Sequence, residues 1–243
     1  MPTIHLEQVA KVYKSKGKKT AAVLNIDLEI EQGAFIFVVG SRGSGKSTLL
    51  NLIAGEIEPD RGAIYFDGEN IEKMYRRGRA GRQLRSQVGF VPQEPMLIRT
   101  DTVMENMIAV RPVNFIKSKW IFEPRVKKAL ALVGMPGCEE RRVLEFPYSS
   151  CRRIELAKAI LKSPPILLLD ELTERMDRDT TWDLMQLLNE MNSHGTTILM
   201  ATHDRETVNL MRKRVITLSD GKIVGNVPRG RFGDIVEKKL NLD

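Results

Sequence analysis

The stretch Gly40-Ser41-Arg42-Gly43-Ser44-Gly45-Lys46-Ser47 constrains this chain more than any other. The residues ahead of it, Phe35-Ile36-Phe37-Val38-Val39, are apolar and β-prone and read as a buried strand. Those after it, Thr48-Leu49-Leu50-Asn51-Leu52-Ile53-Ala54, have helical spacing and stop at Gly55. A G-x-x-x-x-G-K-S pattern between a strand and a helix is the context of a phosphate-binding loop. Its glycines let successive backbone N–H groups turn inward around phosphate oxygens, and the helix N-terminus adds its positive end. In that arrangement Lys46 reaches the β- and γ-phosphates, and the Ser47 hydroxyl holds Mg²⁺. A glycine-rich turn that binds nothing is the competing reading, and the agreement of motif with context weighs against it. The expected ligand is a nucleoside triphosphate.

The 243 residues suffice for one large α/β domain, or for one with a helical insert. Hydrophobic residues make up 42%, enough for an ordinary core. The net charge is +7, with basic clusters at Arg76-Arg77-Gly78-Arg79, Arg141-Arg142, Arg152-Arg153 and Arg212-Lys213-Arg214. Such runs are by default a solvated surface, and contact with anionic lipid or nucleic acid is the weaker alternative. No stretch is long and apolar enough to span a bilayer, and the N-terminus lacks a signal-peptide core. The sequence therefore predicts a cytosolic chain, held at a membrane only by a partner. Cys138 and Cys151 have no metal-like companions and read as reduced thiols.

Along the chain, residues 4–13 read as a strand, Lys14 to Lys19 as a polar hairpin loop and residues 23–30 as a strand with one wet face. Tyr13, beside that loop, either stacks on a base or is a strand-end tyrosine with its hydroxyl in water; spacing does not choose between them. Residues 63–66 form a short strand closed by Asp67-Gly68, a hairpin signal. Residues 76–86 are basic and helical toward their end. Val88-Gly89-Phe90-Val91 is a buried strand broken by Pro92, which leaves Gln93 on a loop at a strand end, where ligands gather in open α/β sheets. Residues 102–109 and 123–133 read as helices, the second with Val126, Leu130 and Val133 on one face, and residues 112–120 as irregular. Another helix is expected over 154–161.

Ile166-Leu167-Leu168-Leu169 then runs into Asp170-Glu171. A continuous apolar run suits a parallel strand covered on both faces, and it carries the two acids to the strand's C-terminal end. There Asp170 can hold Mg²⁺ through water, and Glu171 can polarise the attacking water. A helix follows over 180–191, and residues 196–201 form a further buried strand that ends in Thr202-His203-Asp204. A histidine at that tip, level with Asp170, is placed to reach a γ-phosphate, against the alternative of a surface histidine. Residues 214–218 and 222–227 flank Asp220-Gly221 as a hairpin, and residues 232–240 form a short amphipathic helix or a frayed tail.

With these pieces in order, the sequence resembles the ATP-binding subunits of ABC transporters, nearest the FtsE/LolD/MacB subgroup. The resemblance covers almost the whole chain. It rests on the glycine-rich loop, the Gln93 loop, the strand into Asp170-Glu171, and Leu199-Met200-Ala201-Thr202-His203-Asp204 with Thr217-Leu218-Ser219-Asp220-Gly221. It implies an α/β P-loop NTPase fold of the ABC ATPase type, as a single ATP-binding domain over 1–243. An antiparallel β-subdomain and a helical subdomain at about 102–161 belong to that fold. ATP and Mg²⁺ are the implied cofactors. Gly40, Ser41, Arg42, Gly43, Ser44, Gly45, Lys46, Ser47 and Thr48 are implied to hold the phosphates, and Tyr13 to stack on adenine. Ser47, Gln93 and Asp170 are implied around the metal, and Glu171, His203 and Gln93 in catalysis. The resemblance also implies a head-to-tail dimer with ATP sandwiched at its interface, and an FtsX-like integral membrane partner at the inner face of the cell membrane. No nucleic acid is expected.

One element departs from the family. Its Leu-Ser-Gly-Gly-Gln signature falls, at family spacing, on Phe146-Pro147-Tyr148-Ser149-Ser150. Sliding the register by two residues to match Ser149-Ser150 would turn the following helix by about 200° and misplace its buried face. Pro147 supplies neither hydroxyl nor N–H, and Tyr148 is bulky where the partner's γ-phosphate belongs. The loop Leu172-Thr173-Glu174-Arg175-Met176-Asp177 also departs, keeping Asp177. The half of the site that binds ATP is thus intact and the half that acts across the dimer is degraded. Three readings follow: an FtsEX-like ATPase, a nucleotide-binding scaffold or switch with little hydrolysis, and the ATPase subunit of a lipoprotein or small-molecule exporter. A DNA- or ribosome-acting ATPase of this family carries coiled-coil inserts or a second cassette, for which this chain has no room.

Overall fold

A computed structural model of the chain describes residues 3–15, 18–71, 87–109 and 119–234. Strands β1 (Ile4–Ser15), β2 (Lys18–Ile30), β4 (Arg61–Phe66) and β5 (Glu69–Asn70) make an antiparallel sheet in the order β2-β1-β4-β5. A second sheet has the order β10-β9-β3-β8-β7-β6, built from β3 (Phe35–Gly40), β6 (Val88–Val91), β7 (Ile166–Asp170), β8 (Thr197–Ala201), β9 (Arg214–Ser219) and β10 (Lys222–Val227). Its strands pair in parallel except for the β9–β10 hairpin.

The period of the strand explains why the central runs are apolar throughout. Alternate side chains point to opposite faces. Phe37, Val39, Leu167, Leu169, Ile198 and Met200 enter a core shared with helices α3 (Lys119–Leu132), α4 (Tyr148–Ile160) and α5 (Arg178–Ser193). Ile36, Val38, Ile166, Leu168, Leu199 and Ala201 enter the other core, against α1 (Lys46–Ala54) and the antiparallel sheet. A polar side chain in the middle of β7 or β8 would be buried away from water, so Ile166–Leu169 and Ile198–Met200 are apolar on both parities, and the polar Asp170 and Thr197 stand at strand ends.

Several elements differ from the sequence reading. Strands β1 and β2 extend to Ser15 and from Lys18, taking in much of the expected polar loop, because antiparallel pairing carries on through Lys14 and Lys19. Helix α3 starts at Lys119, before the expected 123, and runs through Pro124; the expected face of Val126, Leu130 and Val133 is buried as anticipated. Helix α4 starts at Tyr148 rather than 154, and α5 at Arg178, where the Asp177 side chain accepts from Thr180 N at 2.8 Å. Helix α2 (Val103–Ile108) has a capping box between Thr102 and Glu105. A helix absent from the reading, α6 (Arg205–Met211), follows His203 directly; Asp204 caps it by accepting from Glu206 N and Thr207 N. The helix expected within 76–86, the irregular stretch from 112 to 118 and the tail beyond 234 lie outside the described residues.

Candidate functional site

The glycine-rich loop leaves β3 and enters α1. A Cβ on Gly40 would stand 2.3 Å from the Leu218 carbonyl oxygen, and one on Gly45 2.1 Å from that of Ala22. Gly45 also has φ +104°, so both space and backbone conformation require glycine there. The loop closes around Lys46, which is 8% exposed. Its Nζ donates to the Gly40 and Ser41 carbonyls at 3.1 Å each. No acidic residue lies in the first turn of α1, and no side chain caps it. The positive end of the helix is therefore left for an external anion. The Ser44 hydroxyl is buried without a hydrogen-bond partner. Ser41 and Arg42 are exposed on the rim, and Thr48 lies half-buried in the first turn.

The acids stand across from this loop. Asp170, at the end of β7, is 2% exposed. The Ser47 side chain lies beside its carboxylate, and its Oδ1 has no hydrogen-bond partner. Burial pushes its carboxyl above the ordinary range, with Ser47, Lys46 and Arg152 working the other way. Glu171 takes a left-handed φ of +49° as the strand ends, with its N–H held by the Ala201 carbonyl at 3.0 Å. Its Oε2 lies 2.9 Å from His203 Nδ1 and accepts from the His203 backbone N–H at 3.3 Å. Burial raises its carboxyl too, and the His203 contact partly offsets this. Glu171 and His203 line an open cleft of about 800 Å³ with Arg175, Trp182 and Leu210. Adjacent parallel strands β7 and β8 are what bring residues 171 and 203 together.

Gln93 sits on the exposed loop after β6, which β8 and β7 separate from β3. Its backbone carbonyl accepts from the Tyr148 hydroxyl at 3.1 Å. Tyr13 is 44% exposed on β1, opposite Thr20. The same hairpin carries Ala22, whose carbonyl abuts Gly45, so it flanks the glycine-rich loop.

At the position expected for the signature, Phe146 is buried, Pro147 occupies the N-cap of α4, and Tyr148 is its first helical residue. Pro147 gives no side-chain cap. The Arg175 guanidinium lies 5.0 Å from the Tyr148 ring centroid. The sequence reading missed Arg152, which is 0% exposed and donates to the carbonyls of Pro92, Asp170 (2.7 Å) and Leu172 (3.5 Å). A basic pair inside an otherwise apolar-periodic helix was the available signal.

Polyphosphate is the ligand this geometry suits. A lysine is folded inside a turn that side chains cannot enter, beneath an uncapped helix. A buried acid oxygen without a partner stands beside the Ser47 hydroxyl, a donor set of hard oxygens that fits Mg²⁺. These are the marks of a P-loop nucleotide triphosphatase. Residues 23–174 match the family model described as ABC transporter. The cell division ATP-binding protein FtsE of Mycobacterium tuberculosis (strain ATCC 25618 / H37Rv) is 36% identical over 230 residues, covering 95% of this chain and 98% of that protein. The methionine import ATP-binding protein MetN 2 of Listeria monocytogenes serovar 1/2a is 33% identical over 238 residues, covering 96% of this chain and 66% of that protein. Among solved structures, a dimeric ATP-binding cassette in a post-hydrolysis state with ADP and Pi bound superposes with a TM-score of 0.84 at 29% identity. That match covers 94% of this chain and 100% of the cassette. The chain belongs to the ABC transporter family, as one of its ATPase cassettes.

Proposed function

We propose that this chain is the ATPase subunit of an FtsEX-like complex, which couples nucleotide-driven dimerisation to an integral membrane partner in cell division or envelope processes. The observation that supports ATP chemistry is the placing of Lys46 in its glycine cradle opposite Asp170 and the Glu171–His203 pair. The cell-division assignment rests on the near-full-length likeness to FtsE. The match to MetN 2 keeps a transporter role as its competitor.

In this reading the amides and side chains from Gly40 to Thr48 bind the triphosphate, with Lys46 on the β- and γ-phosphates. Ser47, Gln93 and Asp170 would hold Mg²⁺, which would supply neutralisation of charge on the phosphate oxygens. Glu171 accepts a proton from the attacking water, and its hydrogen bond to His203 holds both side chains toward the γ-phosphate. Tyr13 offers its ring to adenine. Among the described residues no helix is long and apolar enough to cross a membrane, so attachment falls to the partner.

A second reading, a nucleotide-dependent switch with little hydrolysis, is favoured by the hydrogen bond of Tyr148 to its own subunit's Gln93 loop. ATP turnover of the chain alone and co-purified with its membrane partner separates the two. The first reading expects turnover that rises in the complex. Turnover absent in both, with ATP bound, overturns it in favour of the switch.

A further inference from the structure

Helix α4 carries two donors that the phosphate site does not use. Tyr148 and Arg152 stand one helical turn apart on one face. The Tyr148 hydroxyl donates to the carbonyl of Gln93 at 3.1 Å, and Arg152 Nη1 donates to the carbonyl of Pro92, the residue before it. The rest of the same guanidinium reaches the other loop. Its Nη2 donates to the Asp170 carbonyl at 2.7 Å and its Nε to that of Leu172 at 3.5 Å. A planar fork with several fixed donors can serve separate carbonyls at once, which a lysine cannot do with the same geometry. Arg175, from the loop after Glu171, closes over the Tyr148 ring at 5.0 Å. The Gln93 turn is thus fastened by its backbone to a helix, and that helix to the strand end bearing Asp170 and Glu171.

We propose that Tyr148 and Arg152 are positioning residues that clamp the Gln93 turn at a fixed spacing from Asp170, so that Gln93 and Asp170 meet one Mg²⁺ ion from two separate loops. The inference rests on the metal role proposed above for Gln93 and Asp170. A ligand on an exposed loop loses affinity by the free energy needed to order that loop, and anchoring its backbone beforehand removes this cost. The clamp also commits the Tyr148 hydroxyl within its own subunit, where the family's signature would face the partner's nucleotide.

The test is calorimetric binding of a non-hydrolysable ATP analogue to the full chain, with Mg²⁺ and with a chelator. Wild type, Tyr148→Phe, Gln93→Ala and the double variant are compared. Tyr148→Phe keeps the ring beneath Arg175 and removes only the donor; thermal melting verifies its folding. With Mg²⁺ its affinity is expected to fall about fivefold, the effect of one neutral hydrogen bond. With the chelator it is expected to match wild type. In the Gln93→Ala background the tyrosine change is expected to add nothing, since both act through one side chain. No change with Mg²⁺, an equal loss with and without it, or an additive loss in the double variant overturns the clamp alone. Wild-type protein that binds no analogue overturns the proposed function, and the clamp with it.

Discussion

In the proposed function, Lys46 and Glu171 divide the chemistry between binding and turnover. Lys46 is held in its cradle by two carbonyl contacts and supplies a buried side-chain cation at the glycine turn. Lys46→Ala removes a charge-assisted contact worth about 2 kcal/mol, so ATP affinity should fall some thirtyfold in calorimetry. Glu171 must be ionised to accept a proton. Burial raises its carboxyl above the ordinary range, so the active form is lost as pH falls through that raised value. The acidic limb of the turnover profile should therefore lie above the ordinary glutamate value of about 4.3. The His203 contact lowers the Glu171 carboxyl, and His203→Ala should move that limb to still higher pH. A limb at the ordinary value, or one unmoved by His203→Ala, would contradict these assignments. Glu155 shows the same burial effect without a role at the phosphate. It is buried in α4, with Oε1 unpartnered and its carboxyl raised. A raised carboxyl contributes stability below its unfolded value and loses it as pH rises through the folded one. Glu155→Gln should raise the melting temperature at neutral pH, and the gain should vanish in acid, where both states of wild type hold the proton.

At the scale of elements, what could be read from the sequence was what lies contiguous in it. The glycine-rich turn, its strand and its helix are one stretch. The run Ile166–Leu169 names a strand buried on both faces and carries its acids to the correct end. The sequence could place His203 at the same sheet end as Asp170 because both end parallel strands; its hydrogen bond to Glu171, 32 residues away, came only with the structure. Helix α4 was misplaced for a physical reason. Its first turns hold Tyr148, Ser149, Ser150, Arg152 and Arg153, which break the apolar period, yet Arg152 is buried because backbone carbonyls accept its donors. Those carbonyls belong to residues up to 60 positions away, and no local pattern announces them. The same first turn stands where the family's signature is expected. A preorganised donor at developing charge is worth about 3 kcal/mol, or roughly a hundredfold in rate. At saturating ATP and Mg²⁺, which offset the loss of the Tyr148 hydroxyl from the Gln93 clamp, restoring it through Phe146→Leu, Pro147→Ser, Tyr148→Gly, Ser149→Gly and Ser150→Gln should raise both turnover and ATP-dependent dimerisation. A restored variant no faster and no more dimeric would mean that the natural loop makes an equivalent phosphate contact.

For the whole molecule, the two cores on either side of the six-stranded sheet set the glycine-rich loop and the acid pair at the C-terminal ends of its strands, with the Gln93 turn after β6 hydrogen-bonded to α4. An FtsE-like subunit in this form should reach the membrane fraction only when its partner is present. With a net charge of +7, the fractionation belongs in high salt, which screens attraction to anionic lipid; retention there without the partner would contradict attachment through it. The ATPase reading itself is tested most directly by phosphate release from ATP and Mg²⁺, measured for wild type and Glu171→Gln at matched nucleotide occupancy. The substitution leaves the phosphate cradle untouched and removes the proton acceptor. Wild type should turn over, and Glu171→Gln should bind ATP as well while releasing phosphate on the order of a hundredfold more slowly. Release by the variant at the wild-type rate would contradict the assignment of Glu171, and with it the division of labour between the two strand ends.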